Sequence, residues 1–173
     1  MDDRQLWEGI RRKDASAFDA LYRSYGAGLL GFLKQFLGNR QAAEDVTQET
    51  FASIWQHPNG FDPERGTLRA YVFGAGRKRA AEWWRKQKPQ SHPATEPVEG
   101  CKAETQSLIG NAFDKLPAEQ RTILWLREVE GQSYAELAEI LGIPEGTIRS
   151  RLFAARKALR QVWHAARNIE EGS

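Results

Sequence analysis

The apolar positions of this chain recur every three and four residues almost from end to end. Leu6, Trp7 and Ile10 form a first short stripe, and Phe18, Leu21, Tyr22, Tyr25, Leu29, Phe32, Leu33, Phe36 and Leu37 form a longer one that Gly38 and Asn39 close. Such spacing predicts amphipathic helices, with glycine and asparagine as stop signals. Gly26, Gly28 and Gly31 interrupt the longer stripe. Each costs a helix about 1 kcal/mol relative to alanine, which points to a bend or a close helix contact there. A third stripe, Ala43, Val46, Thr50, Phe51 and Ile54, runs to the stop at His57-Pro58-Asn59-Gly60. A fourth runs from Leu68 through Val72, Ala75 and Trp83 towards Pro89. No window alternates in the way a substantial sheet requires.

Between Lys86 and Glu104 the composition changes: Pro89, Pro93 and Pro97 recur, aromatics vanish, and Val98 is the only large aliphatic residue. That composition predicts a linker. Beyond it, Leu108, Ile109, Ala112, Phe113 and Leu116 resume the helical spacing, and Pro117 opens a further helix through Ile123, Leu124 and Val129. The predicted fold is all-α, with two small helical domains joined by a flexible linker. The expected bounds are 1–88, 89–104 and 105–173.

The segment from Gly131 to Leu152 carries helix-turn-helix punctuation. Ser133 and Glu136 have capping-box spacing, Ala135 to Leu141 fits a short helix, Gly142 suits a left-handed turn residue, and Pro144 can open the second helix. On that second helix Ile148, Leu152, Ala155 and Leu159 cluster on one side, and Arg149, Ser150, Phe153, Lys157 and Arg160 cluster roughly 140° away. One face packs; the other suits a DNA major groove, with Arg and Ser for base edges or phosphates and an aromatic for a thymine methyl. An ordinary helical hairpin is the alternative.

Charge sharpens the picture only when it is taken by position. The 173 residues hold 25 basic and 23 acidic side chains, a net +2. From Gln41 to Glu64 there are five acidic residues and no basic one, whereas Arg65 to Lys88 holds eight basic residues against Glu82 alone. The contrast repeats further on. Ala112 to Glu145 holds seven acidic and three basic residues, and Gly146 to Arg167 holds six basic and none acidic. Solvated helix faces produce such blocks, but two basic segments in one small protein favour a polyanionic partner.

Within the first basic block, Arg65, Lys78 and Arg85 supply charge, and Phe73, Arg77, Trp84 and Lys88 share a face that suits unpaired bases and their phosphates. Leu68, Val72, Ala75 and Trp83 fall elsewhere on the wheel, as a packing face. The alternative is that Phe73 and Trp84 belong to the core. On the preceding helix, Gln41, Asp45, Gln48, Glu49 and Gln56 lie opposite Val46, Thr50 and Ile54. Such a face repels DNA, and either plain solvation or a protein partner explains it.

Length and composition exclude several classes. A 173-residue chain with 40% hydrophobic residues is a folded, soluble protein of one or two domains. No apolar run approaches a membrane span, and the start Met1-Asp2-Asp3-Arg4 is unlike a secretion signal, so a cytoplasmic location is expected. A single cysteine, Cys101, forms no internal disulfide or cysteine-rich zinc site. Gly26-Ala-Gly28-Leu-Leu-Gly31 matches a dinucleotide-binding spacing but lies inside a helical stripe rather than after a strand. His57, Asp62 and Glu64 lack a second histidine at ligand spacing, and no nucleophile with its base stands out. No catalytic residue, metal or cofactor is expected.

These residues together resemble the small bacterial sigma factors of the extracytoplasmic-function (ECF) group, over nearly the whole chain apart from the linker. Ala17-Phe-Asp-Ala-Leu-Tyr-Arg-Ser-Tyr25 looks like the family's opening helix, and Ala43-Glu-Asp-Val-Thr-Gln-Glu-Thr-Phe51 looks like its polymerase-binding segment. The resemblance implies that Asp45, Gln48 and Glu49 bind the clamp coiled coil of the largest catalytic subunit of core RNA polymerase. Phe61-Asp-Pro-Glu-Arg-Gly-Thr-Leu-Arg-Ala-Tyr71 looks like the loop and helix start that capture a flipped base of the minus-ten element. Arg149, Ser150 and Phe153 match the minus-thirty-five reading positions, with Arg156, Lys157 and Arg160 left for phosphates. There are departures: Ala75-Gly76-Arg77-Lys78 replaces a common isoleucine-alanine-arginine-asparagine run, and Ala154 stands where several relatives carry arginine.

The expected function is that of a non-catalytic subunit that directs core RNA polymerase to specific promoters and helps open the DNA. Its partners would be core polymerase, promoter DNA as duplex and as melted single strand, and an anti-sigma factor implied by the resemblance. A stand-alone helix-turn-helix regulator, which would bind duplex DNA without polymerase, is the alternative.

Overall fold

The computed structural model describes residues 2–87 and 112–172. The expected linker 89–104, together with Lys88, Cys101, Leu108 and Ile109, lies outside the described residues. Among those described every regular element is helical. The first unit comprises α1 (Asp3–Arg11), α2 (Ala15–Leu37), α3 (Arg40–Gln56) and α4 (Leu68–Gln87). The second comprises α5 (Ala118–Leu124), a π-helical turn (Trp125–Val129) that continues it, α6 (Tyr134–Leu141) and α7 (Glu145–Glu171).

Local chemistry sets the boundaries. Asp2 caps α1 by accepting from the Gln5 N–H at 2.7 Å, and the Gln5 side chain accepts from the Asp2 N–H in return. Asp14 caps α2 and Asn39 caps α3, each satisfying an N–H that the first turn leaves open. Gly38 ends α2 with φ 64°, in the left-handed region where a side chain would be strained. In the second unit Ser133 and Glu136 form the expected capping box, and Gly142 turns the chain with φ 66° between α6 and α7. The helix-turn-helix geometry is thereby set by its own sequence.

The apolar stripes become the core. Leu21, Leu29, Phe32 and Leu33 of α2 pack with Val46, Phe51 and Ile54 of α3 and with Leu68, Val72 and Phe73 of α4, all essentially buried. In the second unit Ile123, Leu124 and Leu126 meet Leu137 and Ile140 of α6 and Ile148, Leu152 and Ala155 of α7. The two cores are continuous, because α5 and the π-helical turn lie against α2 and α6 lies against α4. The α2 glycines explain part of this closeness. A Cβ built at Gly31 would stand 2.7 Å from Cζ2 of Trp125, and one at Gly28 would meet the Glu130 carboxylate. The close contact expected of Gly28 and Gly31 is therefore with the second unit, whereas Gly26 faces Tyr22 of its own helix.

Two sequence expectations need correction. Phe73, expected on the strand-binding face with the core as its alternative, is 1% exposed and its ring lies 5.8 Å from that of Phe32, so it belongs to the core. A helix wrapped on one side by α2 and on the other by α6 has less free surface than a wheel drawn for an isolated helix. Phe61 is also buried, with its ring 5.2 Å from Trp7 and 5.5 Å from Tyr71. In this conformation it braces the loop before α4 rather than offering a surface to a base. Trp83, read as a packing residue, is half-buried against the core and sits edge-on to Trp84 at 5.4 Å.

Candidate nucleic-acid interface

Three chemically distinct faces can be followed on the structure. The first is on α3, where Asp45, Gln48 and Glu49 are all exposed while Val46, Thr47 and Thr50 on the opposite side are buried. The two threonines turn their hydroxyls back onto the helix: Thr47 donates to the Ala43 carbonyl at 2.7 Å and Thr50 to the Val46 carbonyl at 2.6 Å. Polar groups inside α3 are thus satisfied; on its outer side Arg40 and Glu44 pair at 2.9 Å, and the carboxylates of Asp45 and Glu49 face outward. Asp45 accepts from the Gln41 side chain at 3.1 Å.

The second face is on α4 and the loop before it. Arg65, Lys78 and Arg85 are exposed, and Trp84 keeps 36% of its surface open. Arg77 is different. It is half-buried against the second unit, its guanidinium close to the Gly142 turn, and its enclosed Nε has no hydrogen-bond partner. Together with Trp84, Phe36, Leu141, Glu119 and Arg151 it lines a cleft of about 370 Å³ between the units. The expected face of Phe73, Arg77, Trp84 and Lys88 is therefore only partly assembled: Phe73 is core, Lys88 lies outside the described residues, and Arg77 and Trp84 share the cleft.

The third face is on α7. Arg149, Ser150, Lys157 and Arg160 are exposed and Phe153 is 67% exposed, with Ile148, Leu152 and Ala155 buried behind them. A phenyl ring held out to that degree contributes little to the fold and is free for a ligand. Arg149 lies 5.7 Å above the Tyr134 ring, which also receives Arg127 at 5.0 Å. Arg156 is half-buried and committed elsewhere, donating to Glu128 through Nη2 at 2.6 Å and Nε at 3.0 Å. Among the described residues no group of three or more acidic, histidine or cysteine side chains could hold a metal, and no helix is long and apolar enough to cross a membrane.

Sequence reasoning passed over one cluster entirely. Arg69 donates to the Glu136 carboxylate at 3.0 Å and to the Glu130 and Gly131 carbonyls, and Thr67 donates to the same carboxylate at 2.7 Å. Glu136 was legible only as a cap, and Thr67 and Arg69 only as members of the Phe61–Tyr71 segment and, for Arg69, of a basic block. The usable signal was the pairing of blocks: the acidic stretch 112–145 meets the basic stretch 65–88. Burial works to raise the Glu136 pKa, but hydrogen bonds from Arg69, the Ser133 N–H and Thr67 outweigh it and hold the carboxyl below its ordinary value.

Comparison with known proteins agrees with this geometry. Residues 21–90 match Sigma-70 region 2 and residues 106–159 match Sigma-70, region 4. The chain is 30% identical to the ECF RNA polymerase sigma factor RpoE of Cereibacter sphaeroides, over 92% of this chain and 96% of that one. It is 32% identical to the ECF RNA polymerase sigma factor SigL of Mycobacterium tuberculosis, over 88% and 92%. Among solved structures it is similar to the sigma factor RpoE in complex with the anti-sigma factor NepR from Bartonella quintana. The TM-score is 0.67 at 25% identity, covering 84% of this chain and 95% of that one. The chain belongs to the sigma-70 family, in its ECF group, and is a sigma factor that directs RNA polymerase to promoters.

Proposed function

We propose that the three faces divide the work of promoter recognition, within units bounded at 1–88 and 105–173. Asp45, Gln48 and Glu49 of α3 bind core RNA polymerase. Arg65, Lys78, Trp84 and Arg85, with Arg77 once it is uncovered, meet melted DNA. Arg149, Ser150 and Phe153 read the upstream duplex element while Lys157 and Arg160 hold phosphates. The chain performs no catalytic step of its own. An anti-sigma factor is a further partner, by analogy with the complex named above.

The observation that carries this reading is the separation of charge on exposed faces: an acidic surface on α3 and a basic one bearing Phe153 on α7, each backed by buried residues. A stand-alone regulator would have no use for the first unit. The experiment is promoter-directed transcription by purified core polymerase with and without the chain. Replacing Gln48 with Ala and Glu49 with Lys should abolish core binding and transcription while leaving duplex binding intact. Unchanged core binding would remove α3 from the account.

A further inference from the structure

Tyr134 stands where three arginines meet. It is the first residue of α6, fixed there by the capping box in which Ser133 accepts from the Glu136 N–H at 3.1 Å and Glu136 accepts from the Ser133 N–H at 2.9 Å. Its ring is half-buried and packs against the core. The Arg127 guanidinium lies 5.0 Å from the ring centroid and the Arg149 guanidinium 5.7 Å. The hydroxyl end serves Arg156, whose pKa is raised chiefly by its hydrogen bonds to Glu128 and to a smaller degree by Tyr134.

The three arginines differ in what they have left to offer. Arg127 donates to the Gln132 carbonyl at 2.7 Å, and Arg156 donates twice to Glu128. Arg149 is exposed and, among the described residues, makes no hydrogen bond or ion pair, so the Tyr134 ring is its one directed contact. A ring face attracts a guanidinium without supplying an acceptor, and the N–H donors stay available for a base edge. An unsupported arginine on a helix surface samples many rotamers and must lose them when it meets DNA. One that already rests on a ring has lost part of that freedom beforehand. Because α6 carries the ring and α7 the arginine, the turn at Gly142 that joins them sets where the guanidinium is held.

We propose that Tyr134 is a positioning residue for base reading: its ring pre-orients Arg149, so that discrimination at the base pair read from α7 depends on a side chain of the preceding helix. This rests on the reading of Arg149 as a base-reading residue. Tyr134 acts on specificity at that base pair, while the phosphate contacts of Lys157 and Arg160 are independent of it.

The test uses core RNA polymerase saturated with each variant of the full chain and reads binding across duplexes randomised over the upstream element. Tyr134→Phe keeps the ring face and loses the hydroxyl; Tyr134→Leu keeps an apolar side chain and loses the face. Pentafluorophenylalanine in place of Tyr134 keeps the shape of the ring and reverses the charge of its face, which covers the case in which leucine disturbs the fold. Tyr134→Phe should retain the wild-type preference. The leucine and pentafluoro variants should lose about three- to tenfold of the preference at the one base pair that Arg149→Ala relaxes, and should lose nothing further when combined with Arg149→Ala. Equal loss on every duplex, or the same loss in the Arg149→Ala background, would make Tyr134 a structural or backbone-contacting residue and overturn the proposal. If Arg149→Ala relaxes a preference that both ring variants keep, the base-reading role stands and only the positioning fails. If Arg149→Ala changes no preference, both fall.

Discussion

Arg69 and Glu136 are 67 positions apart in sequence and form a partly buried ion pair at 3.0 Å that joins the two units. Arg69 also holds the Glu130 and Gly131 carbonyls, so one guanidinium ties α4 to both the capping box of α6 and the turn before it. Removing either partner leaves the other in a half-enclosed site, which costs roughly 1–3 kcal/mol. Arg69→Ala should therefore weaken docking by an amount visible as reduced interdomain energy transfer. The charge-reversed pair, Arg69→Glu with Glu136→Arg, should recover part of it. A double variant no better than the singles would show that packing alone sets the contact.

The same pair gives docking a pH dependence with a defined sign. Because the docked Glu136 carboxyl is held below its ordinary value, the pair stabilises the docked form above the usual carboxylate range, and that contribution is lost as pH falls through the lowered value. Arg69 is the cation facing it. On the α1–α2 side stand Asp3 and Tyr25, the latter pushed up to about 12 by burial and the Asp3 charge and so neutral throughout. Energy transfer should be flat above about pH 6 and decline in acid. Glu136→Gln should remove that decline. An acid transition of the same size in the variant would assign it to another carboxylate.

Phe73 tests the division between core and surface. Phe73→Ala should destabilise the first unit by about 3–5 kcal/mol, as truncating a buried aromatic does. Phe153→Ala should leave stability within about 0.5 kcal/mol of wild type and weaken duplex binding. Urea unfolding followed beside duplex affinity separates the two. A stable Phe73→Ala variant would return that ring to the surface.

Most helix boundaries, the cap of α6 and most of the core were legible because they depend on neighbours within a few residues: Ser133 with Glu136, Gly38 and Gly142 at their turns. The outward residues of α3 and α7 were legible for the same reason, since each helix has one broad free face. On α4 the wheel failed. It placed Phe73 with Arg77, and only the packing of α2 and α6 on either side decides that one is core and the other interfacial. Phe61 was placed by family resemblance, which gives a role in a DNA complex and not the ring cluster it joins in the docked form. The Arg69–Glu136 contact needed the relative placement of two units, which no local pattern encodes.

On α7, base reading and phosphate holding should come apart. Lys157→Ala should weaken all duplexes alike and reduce the slope of log affinity against log salt by about one unit. Arg149→Ala should instead relax preference at one base pair, at a cost of about 1–3 kcal/mol for the preferred sequence. Ala154→Arg should add a preference beside it, by extending reach at the edge of the exposed face. Uniform loss in Arg149→Ala across a promoter library would mean that the helix sits in the groove differently.

This chain directs RNA polymerase to its promoters. The direct measurement is initiation by purified core RNA polymerase on a library of templates randomised across both promoter elements, with the chain present or absent. Transcripts should come from a narrow set of templates only when the chain is added, and should be lost with the Gln48→Ala, Glu49→Lys variant and shifted by Arg149→Ala. Duplex binding without any chain-dependent initiation would contradict it.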